Sequence, residues 1–292
     1  LKWKPLEGNQ LTLGLRSDNN NAYGTANTVR GGYVGNFGSW GFKALYGQAY
    51  SEPSGRYLYG GNSSTASNAS LRPERSNTAE VSATYTEKRV SATLSFYDVN
   101  NTSKIVTAGS TVFNQGTQEV KGADLGLQWL LPVGGVSQWK AWAYYSHYFS
   151  VQDTNKVAGV DVTTRSPDLA NDKVKVGTTV VFNRNLDLTL LARFVGSRPT
   201  PITNPVGEVE SHTTLDINVN WKNFLVDGMS LALRVANLAD SFYYDPGLRK
   251  ANAGLGQAGF DNSDVWHGSN GYYNSLLPQP GRSIDLSVKF AF

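Results

Sequence analysis

The residues best suited to chemistry are three histidines, His147, His212 and His267, in a chain without cysteine. Two of them follow serines, as Ser146-His147 and Ser211-His212. A Ser–His pair with an acidic partner would suit acyl hydrolysis. Adjacent residues on a strand point to opposite faces, so neither pair forms a dyad by itself. His267 lies near Asp261 and Asp264, where haem or metal ligation is conceivable. No HxxH or HExxH spacing supports that, and no glycine-rich phosphate loop occurs. The sequence therefore predicts no catalytic residue, no metal site, no cofactor and no enzyme. What is left is rings and cations. Arg56, Tyr57 and Tyr59 share one stretch; Tyr243, Tyr244, Arg249, Trp266, His267, Tyr272 and Tyr273 share another. Aromatic faces beside arginine suit a bulky, often anionic solute. The competing account is that these rings pack the stretches against one another or mark an interface.

Such residues need elements to hold them, and the dominant signal is alternation. Leu125, Leu127, Trp129 and Leu131 alternate with polar or small residues, as do Leu215 to Trp221 and Ile284 to Phe292. Period two marks a strand with one apolar face. Similar stretches cover Leu11 to Leu15, Val90 to Phe96, Val174 to Phe182, Leu186 to Phe194 and Leu231 to Val235; Trp139 to Tyr148 is apolar on both faces. About twelve strands are expected, each near the roughly 9–11 residues that cross a bilayer at a tilt. No run of eighteen apolar residues exists, so no transmembrane helix is expected. A mean hydropathy of -0.34 does not exclude a membrane barrel, in which only every second residue faces lipid. A net charge of +3 makes no case for nucleic acid.

The connections sort by length. Short ones are Gly38-Ser39, Glu87-Lys88, Pro132 to Gly135, Asn183 to Asn185 and Lys222 to Gly228. Long ones are expected at Asp18 to Asn27, Ser51 to Pro73, Asn100 to Ser110, Val151 to Asn171, Gly196 to Val209 and Ser241 to Gln279. Short turns on one side and long loops on the other predict an all-β, antiparallel, up-and-down transmembrane β-barrel with extracellular long loops. Trp40, Tyr46, Tyr50, Tyr85, Tyr97, Trp129, Trp142, Phe194 and Trp221 sit near strand ends, where aromatic girdles meet lipid headgroups. No domain boundary and no signal peptide are visible, so a mature chain or a fragment is expected.

Several segments, in order, resemble TonB-dependent outer-membrane receptors. LYGQAYSEPS (Leu45 to Ser54) resembles their strand and loop entry, with Pro53. NASLRPERSNTAEVSATYT (Asn68 to Thr86) resembles their Asn-x-x-Leu-x-Pro-Glu segment, carrying Leu71, Pro73 and Glu74. FNQGTQEVKGADLGLQW (Phe113 to Trp129) and RVANLADSFYYDPG (Arg234 to Gly247, with Asn237 and Asp240) resemble two further elements. Pro280-Gly281-Arg282 and alternation to Phe292 resemble the final strand, whose C-terminal aromatic serves as an assembly signal in that class.

The resemblance implies a C-terminal portion, residues 1–292, of a roughly 22-stranded barrel, with the plug domain and early strands outside this chain. It implies a monomer in the outer membrane of a Gram-negative cell, in contact with outer-membrane lipid. It also implies TonB-energised uptake of a scarce solute, such as a ferric siderophore, haem, cobalamin or another metal chelate, with the TonB complex reached through the plug. Glu74 and Glu80 are expected to face a hydrated lumen. The alternative is a passive pore or an autotransporter-type translocator, which about twelve strands could close alone.

Overall fold

The computed structural model describes residues 1–61, 66–108, 110–157, 159–201, 204, 206–247 and 276–291. Its strands are β1 (Lys2–Trp3), β2 (Asn9–Asn20), β3 (Gly24–Phe37), β4 (Trp40–Ser51), β5 (Glu74–Thr86), β6 (Val90–Ala108), β7 (Thr111–Leu131), β8 (Gln138–Val157) and β9 (Val160–Arg165). They continue with β10 (Asp172–Val181), β11 (Leu186–Val195), β12 (Arg198–Pro199), β13 (Glu208–Val209), β14 (His212–Lys222), β15 (Met229–Ala236), β16 (Tyr244–Pro246), β17 (Leu276–Pro278) and β18 (Ser283–Phe290). The main sheet has the order β1-β2-β3-β4-β5-β6-β7-β8-β10-β11-β14-β15-β18, with β9 folded back on β8. Without the two-residue β1, that path contains twelve strands, as the alternation predicts. It is an open path: β1 and β18 are its edges. Among the described residues no helix is long and apolar enough to cross a membrane.

The chain divides into two compact units, residues 1–86, 93–124 and 148–166, and residues 87–92, 125–147 and 167–292. In the first unit, the register pairs Leu11 with Tyr33, Tyr33 with Ala44, Ala44 with Val81 and Phe42 with Ala83, which lines one face with apolar groups. Lys43 and Glu80 stand on the opposite face and form a 2.6 Å ion pair. In the second unit, Leu190, Ile217, Val235 and Ile284 follow one another across four strands, as do Leu188, Val219, Leu233 and Leu286. The opposite face carries Lys175 beside Arg193, Asp187 beside Asn220, and Arg234 beside Asp285.

The apolar faces do not close over a core. Apart from prolines and glycines, only eight apolar residues are buried among those described. Trp40, Val81, Phe96, Trp129, Val176 and Leu286 are all exposed. Ladders this long with a continuous bare apolar face need a nonaqueous partner.

Three expected long loops are not loops. Within Asp18 to Asn27, strands β2 and β3 run on to Asn20 and Gly24, leaving only residues 21–23 as a turn. Asn100 to Ser110 is mostly β6, and Val151 to Asn171 is largely β8 and its hairpin partner β9. β6, β7 and β8 are 19, 21 and 20 residues long, about twice a bilayer crossing. The backbone ladder continues past the apolar band, where no face has to be apolar, so the alternation fades while the strand persists. Trp139 to Tyr148, apolar on both faces, is wholly strand. Trp142 lies opposite Gly177, on the face that bears Lys175, and Tyr97 packs edge-on against Tyr148. Trp142 therefore stands on the polar face, away from the girdle position expected for it.

The 52–73 connection is tied down by a small core of Leu58, Leu71 and Val112, with Ala22 and Ile105 against it. Asn68 Nδ2 donates to the Val112 carbonyl at 2.8 Å. Asn114 accepts from the Arg72 amide and donates to the Arg72 carbonyl, both at 2.8 Å. Tyr23 donates to Glu52, and that bond holds its phenol well above the ordinary tyrosine range. Leu71 is 1% exposed. Leu71→Ala should cost about 2–4 kcal/mol locally. Amide exchange over residues 66–74 should accelerate, and unchanged exchange there would contradict the anchoring role.

Candidate functional site

The first group of candidate rings is presented by one turn. Residues Arg56–Gly60 form a single π-helical turn whose only buried side chain is Leu58. With Leu58 sunk in the small core, Tyr57 and Tyr59 are left outward, Tyr59 64% exposed. Gly61, at φ 50°, lets the chain turn back and donate its amide to the Arg56 carbonyl at 2.9 Å. The Tyr57 carbonyl accepts from the Asn68 amide at 2.7 Å, which joins the turn to the Asn-x-x-Leu segment. The turn is thus a fixed platform carrying two phenols and a guanidinium.

In the second unit, the two long connections around β14 and β15 meet. β12 pairs with β13, and β16 pairs with β17. Arg198, on β12, donates to Asp245 Oδ1 at 2.6 Å and to the Tyr244 carbonyl at 2.7 Å. Asn204 Nδ2 donates to the Gly247 carbonyl at 3.1 Å, and the Asp168 amide to the Pro199 carbonyl at 2.8 Å. His212 stacks on Tyr243, with centroids 4.1 Å apart. Phe242 packs edge-on against Tyr244. Burial pushes the Asp168 carboxyl up, and Arg198 draws it partly back down. Tyr243 and Tyr244 are therefore held by a clamp centred on Arg198, a residue that the type-and-spacing argument passes over. A lone loop arginine carries no local mark, and its carboxylate partner is 47 residues away.

The other family-like residues fall in structural places. Pro53, Leu71 and Pro73 are buried. Glu74 accepts from the Ile105 amide at 2.6 Å, while Glu80 pairs with Lys43. Asn237 is buried, adopts φ 50°, and exchanges side-chain hydrogen bonds with the Ser241 backbone. Its amide donates to Asp216, which also pairs with Arg193. Asp240 Oδ1 accepts from the Arg282 amide at 2.7 Å, where a side chain at Gly281 would collide with it. Pro280 accepts more weakly from Asn237. Arg249, Trp266, His267, Tyr272, Tyr273 and Phe292 lie outside the described residues. Among the described residues, no group of three or more His, Asp or Glu could hold a metal ion.

A family model described as "TonB dependent receptor-like, beta-barrel" matches residues 1–238. No curated protein matches the chain. Among solved structures, the FrpB iron transporter of Neisseria meningitidis aligns at 18% identity and TM-score 0.69, covering 97% of this chain and 43% of that one. The ferric enterobactin receptor PfeA of Pseudomonas aeruginosa (a G324V mutant) aligns at 16% identity and TM-score 0.73, covering 100% of this chain and 44% of that one. The siderophore receptor PirA of Acinetobacter baumannii aligns at 18% identity and TM-score 0.71, covering 100% of this chain and 44% of that one. The chain spans less than half the length of each of these structures.

Proposed function

Because the chain belongs to the TonB-dependent receptor-like β-barrel family, we propose that it is the C-terminal part of an outer-membrane receptor barrel that takes up a scarce solute with TonB energy. The solute class we assign is a metal chelate, a ferric siderophore first. The carrying observation is the register itself. Apolar residues align strand to strand on one face, charged and amide side chains align on the other, and short turns separate longer excursions. Lipid on the apolar face and a hydrated lumen on the other satisfy both at once. The open edges of β1 and β18, and the share of the matched structures covered, support further strands and a plug in the same protein. The solved relatives are described as an iron transporter, a ferric enterobactin receptor and a siderophore receptor, which supports the chelate class.

The binding groups we assign are Arg56, Tyr57 and Tyr59 on the turn, Tyr243 and Tyr244 on the clamp, and Arg249, Trp266, His267, Tyr272 and Tyr273 in the longest connection. Rings beside guanidinium groups bind a flat, electron-rich or anionic chelate by stacking and charge. The test uses the full-length protein in cells supplied with radiolabelled ferric chelates. Tyr57→Ala with Tyr59→Ala should weaken binding about tenfold or more, with surface amount unchanged. Uptake should stop when TonB is removed. Uptake that persists without TonB would instead favour the passive pore. Undiminished affinity in the double variant would remove the turn from the site.

A further inference from the structure

In the first unit, the face opposite the apolar one carries a charged pocket. The register sets Leu11 opposite Tyr33 and Leu15 opposite Val29 on the apolar side. Gly14 opposite Arg30, and Arg16 opposite Thr28, therefore fall on the other side. Gly14, Arg16, Thr28, Arg30 and Gln48 line a pocket of about 380 Å³, near the low end for small-molecule sites. Gln48 reaches it from β4 because the β3–β4 ladder stops at Arg30 and Gly47. Gln48 Oε1 accepts from the Val29 amide at 3.3 Å instead.

Glycine at position 14 lets the Arg30 side chain lie across β2. A Cβ there would come 2.7 Å from Arg30 Nε and 2.9 Å from its Cγ. Among the described residues, Arg30 has neither an ion pair nor a hydrogen bond. Arg16 pairs with Asp18 at 2.6 Å, and its guanidinium carbon lies 5.9 Å from the centre of the Tyr50 ring. The other carboxylate near Arg16, Glu52, accepts a hydrogen bond from Tyr23. Arg16 and Arg30 against Asp18 leave the pocket with one net positive charge. Neighbouring like charges on adjacent strands cost stability unless an anion joins them.

We propose that this pocket binds the carboxylates of a small polycarboxylate, and that the chelate taken up is a ferric polycarboxylate. The second clause rests on the uptake reading; the first does not. Arginine forks match carboxylates in plane and bond them in pairs. The two guanidinium groups stem from diagonal positions, about 7–8 Å apart at the backbone. A molecule with several carboxylates meets both, whereas a single small anion meets one. Thr28 and Gln48 add a hydroxyl and an amide for the solute's own hydroxyl groups. A neutral chelate would leave both guanidinium groups without a new partner and gain nothing from them.

Calorimetry on the full-length protein in detergent would test this, with citrate, ferric citrate and an uncharged ferric trihydroxamate as probes. Citrate and ferric citrate should both bind, and the trihydroxamate about tenfold more weakly than ferric citrate. Arg30→Gln should weaken citrate and ferric citrate about tenfold, the loss of one charge-assisted pair. The urea midpoint should not move, because Arg30 has no partner to lose. Arg30→Lys should recover only part of the affinity, since an ammonium lacks the planar fork. Equal binding of trihydroxamate and ferric citrate, or unchanged affinity in Arg30→Gln, would overturn the proposal. Absence of citrate binding would also overturn it, and a lowered urea midpoint in Arg30→Gln would then give Arg30 to a carboxylate elsewhere in the protein. Citrate binding that depends on Arg30, with no ferric chelate bound at all, would uphold the pocket and overturn the uptake reading instead.

Discussion

Replacing Gly177 by valine should cost the barrel about 3 kcal/mol and sharply lower its folded yield. Gly177 is buried in β10, opposite Trp142 of β8. A Cβ added there would lie 2.2 Å from Trp142 Cζ2 and 2.5 Å from Cε2. Those atoms belong to a rigid ring, which itself packs against Tyr144 at 5.5 Å. Valine is the better strand former, but that preference spans only about 1 kcal/mol. The clash is larger and decides the sign. The strands cannot simply part, because Trp139 Nε1 donates to Thr178 Oγ1 at 2.7 Å one residue away. The measurement is the urea midpoint of the folded, heat-modifiable form in detergent. Trp142→Ala placed on Gly177→Val should recover most of the loss. A wild-type midpoint in the single variant would refute the clash, and a double variant no better than the single would assign the loss to another cause.

That glycine also shows where legibility in the sequence stops. Strand identity is local: Leu215, Ile217, Val219 and Trp221 alternate within one segment, and β14 follows from them. Closeness of Gly177 to Trp142 is not local, since no pattern near residue 142 announces a ring that needs a glycine opposite. The same limit governs the outer ends of β6 and β8. Asn100 to Ser110 looks like a loop because its polar residues obey no face, yet the ladder runs on through it, helped by partners distant in sequence such as Gln118 for Asn101 and Asp153 for Lys104. For the site, residue type points to Tyr57 and Tyr59 as rings able to meet a solute. That Leu58 is their anchor depends on Leu71 and Val112, which are far along the chain. Asn237 and Asp240 were legible as turn formers, and both adopt positive φ. Their ties to Asp216 and Arg282 were not, because those partners lie 21 and 42 residues away along the chain.

Arg198→Ala tests the most distant of these ties, and its effect should be large but confined. Arg198 loses two charge-assisted hydrogen bonds, to Asp245 and to the Tyr244 carbonyl. The guanidinium side chain is 10% exposed, whereas the Asp245 side chain is 43% exposed. Asp245 can therefore rehydrate, and the cost falls below the 3–5 kcal/mol of a fully buried broken pair, to about 2 kcal/mol. That corresponds to amide exchange roughly thirtyfold faster at residues 198–200, 208–209 and 244–246. The β11, β14 and β15 ladders do not use Arg198, so residues 186–195 and 213–222 should exchange as before. Arg198→Lys should restore little, since one ammonium cannot reproduce the planar fork that spans a carboxylate and a carbonyl. Acceleration that spreads into the ladders would make Arg198 a general stabiliser, and no acceleration would dissolve the clamp. The functional readout follows from the His212–Tyr243 stack. If Tyr243 holds solute, loosening the clamp should speed dissociation while leaving association nearly unchanged, because the rings are still present but no longer held in place. A slower association with unaltered dissociation would place the clamp on the entry path and take Tyr243 out of the bound contact.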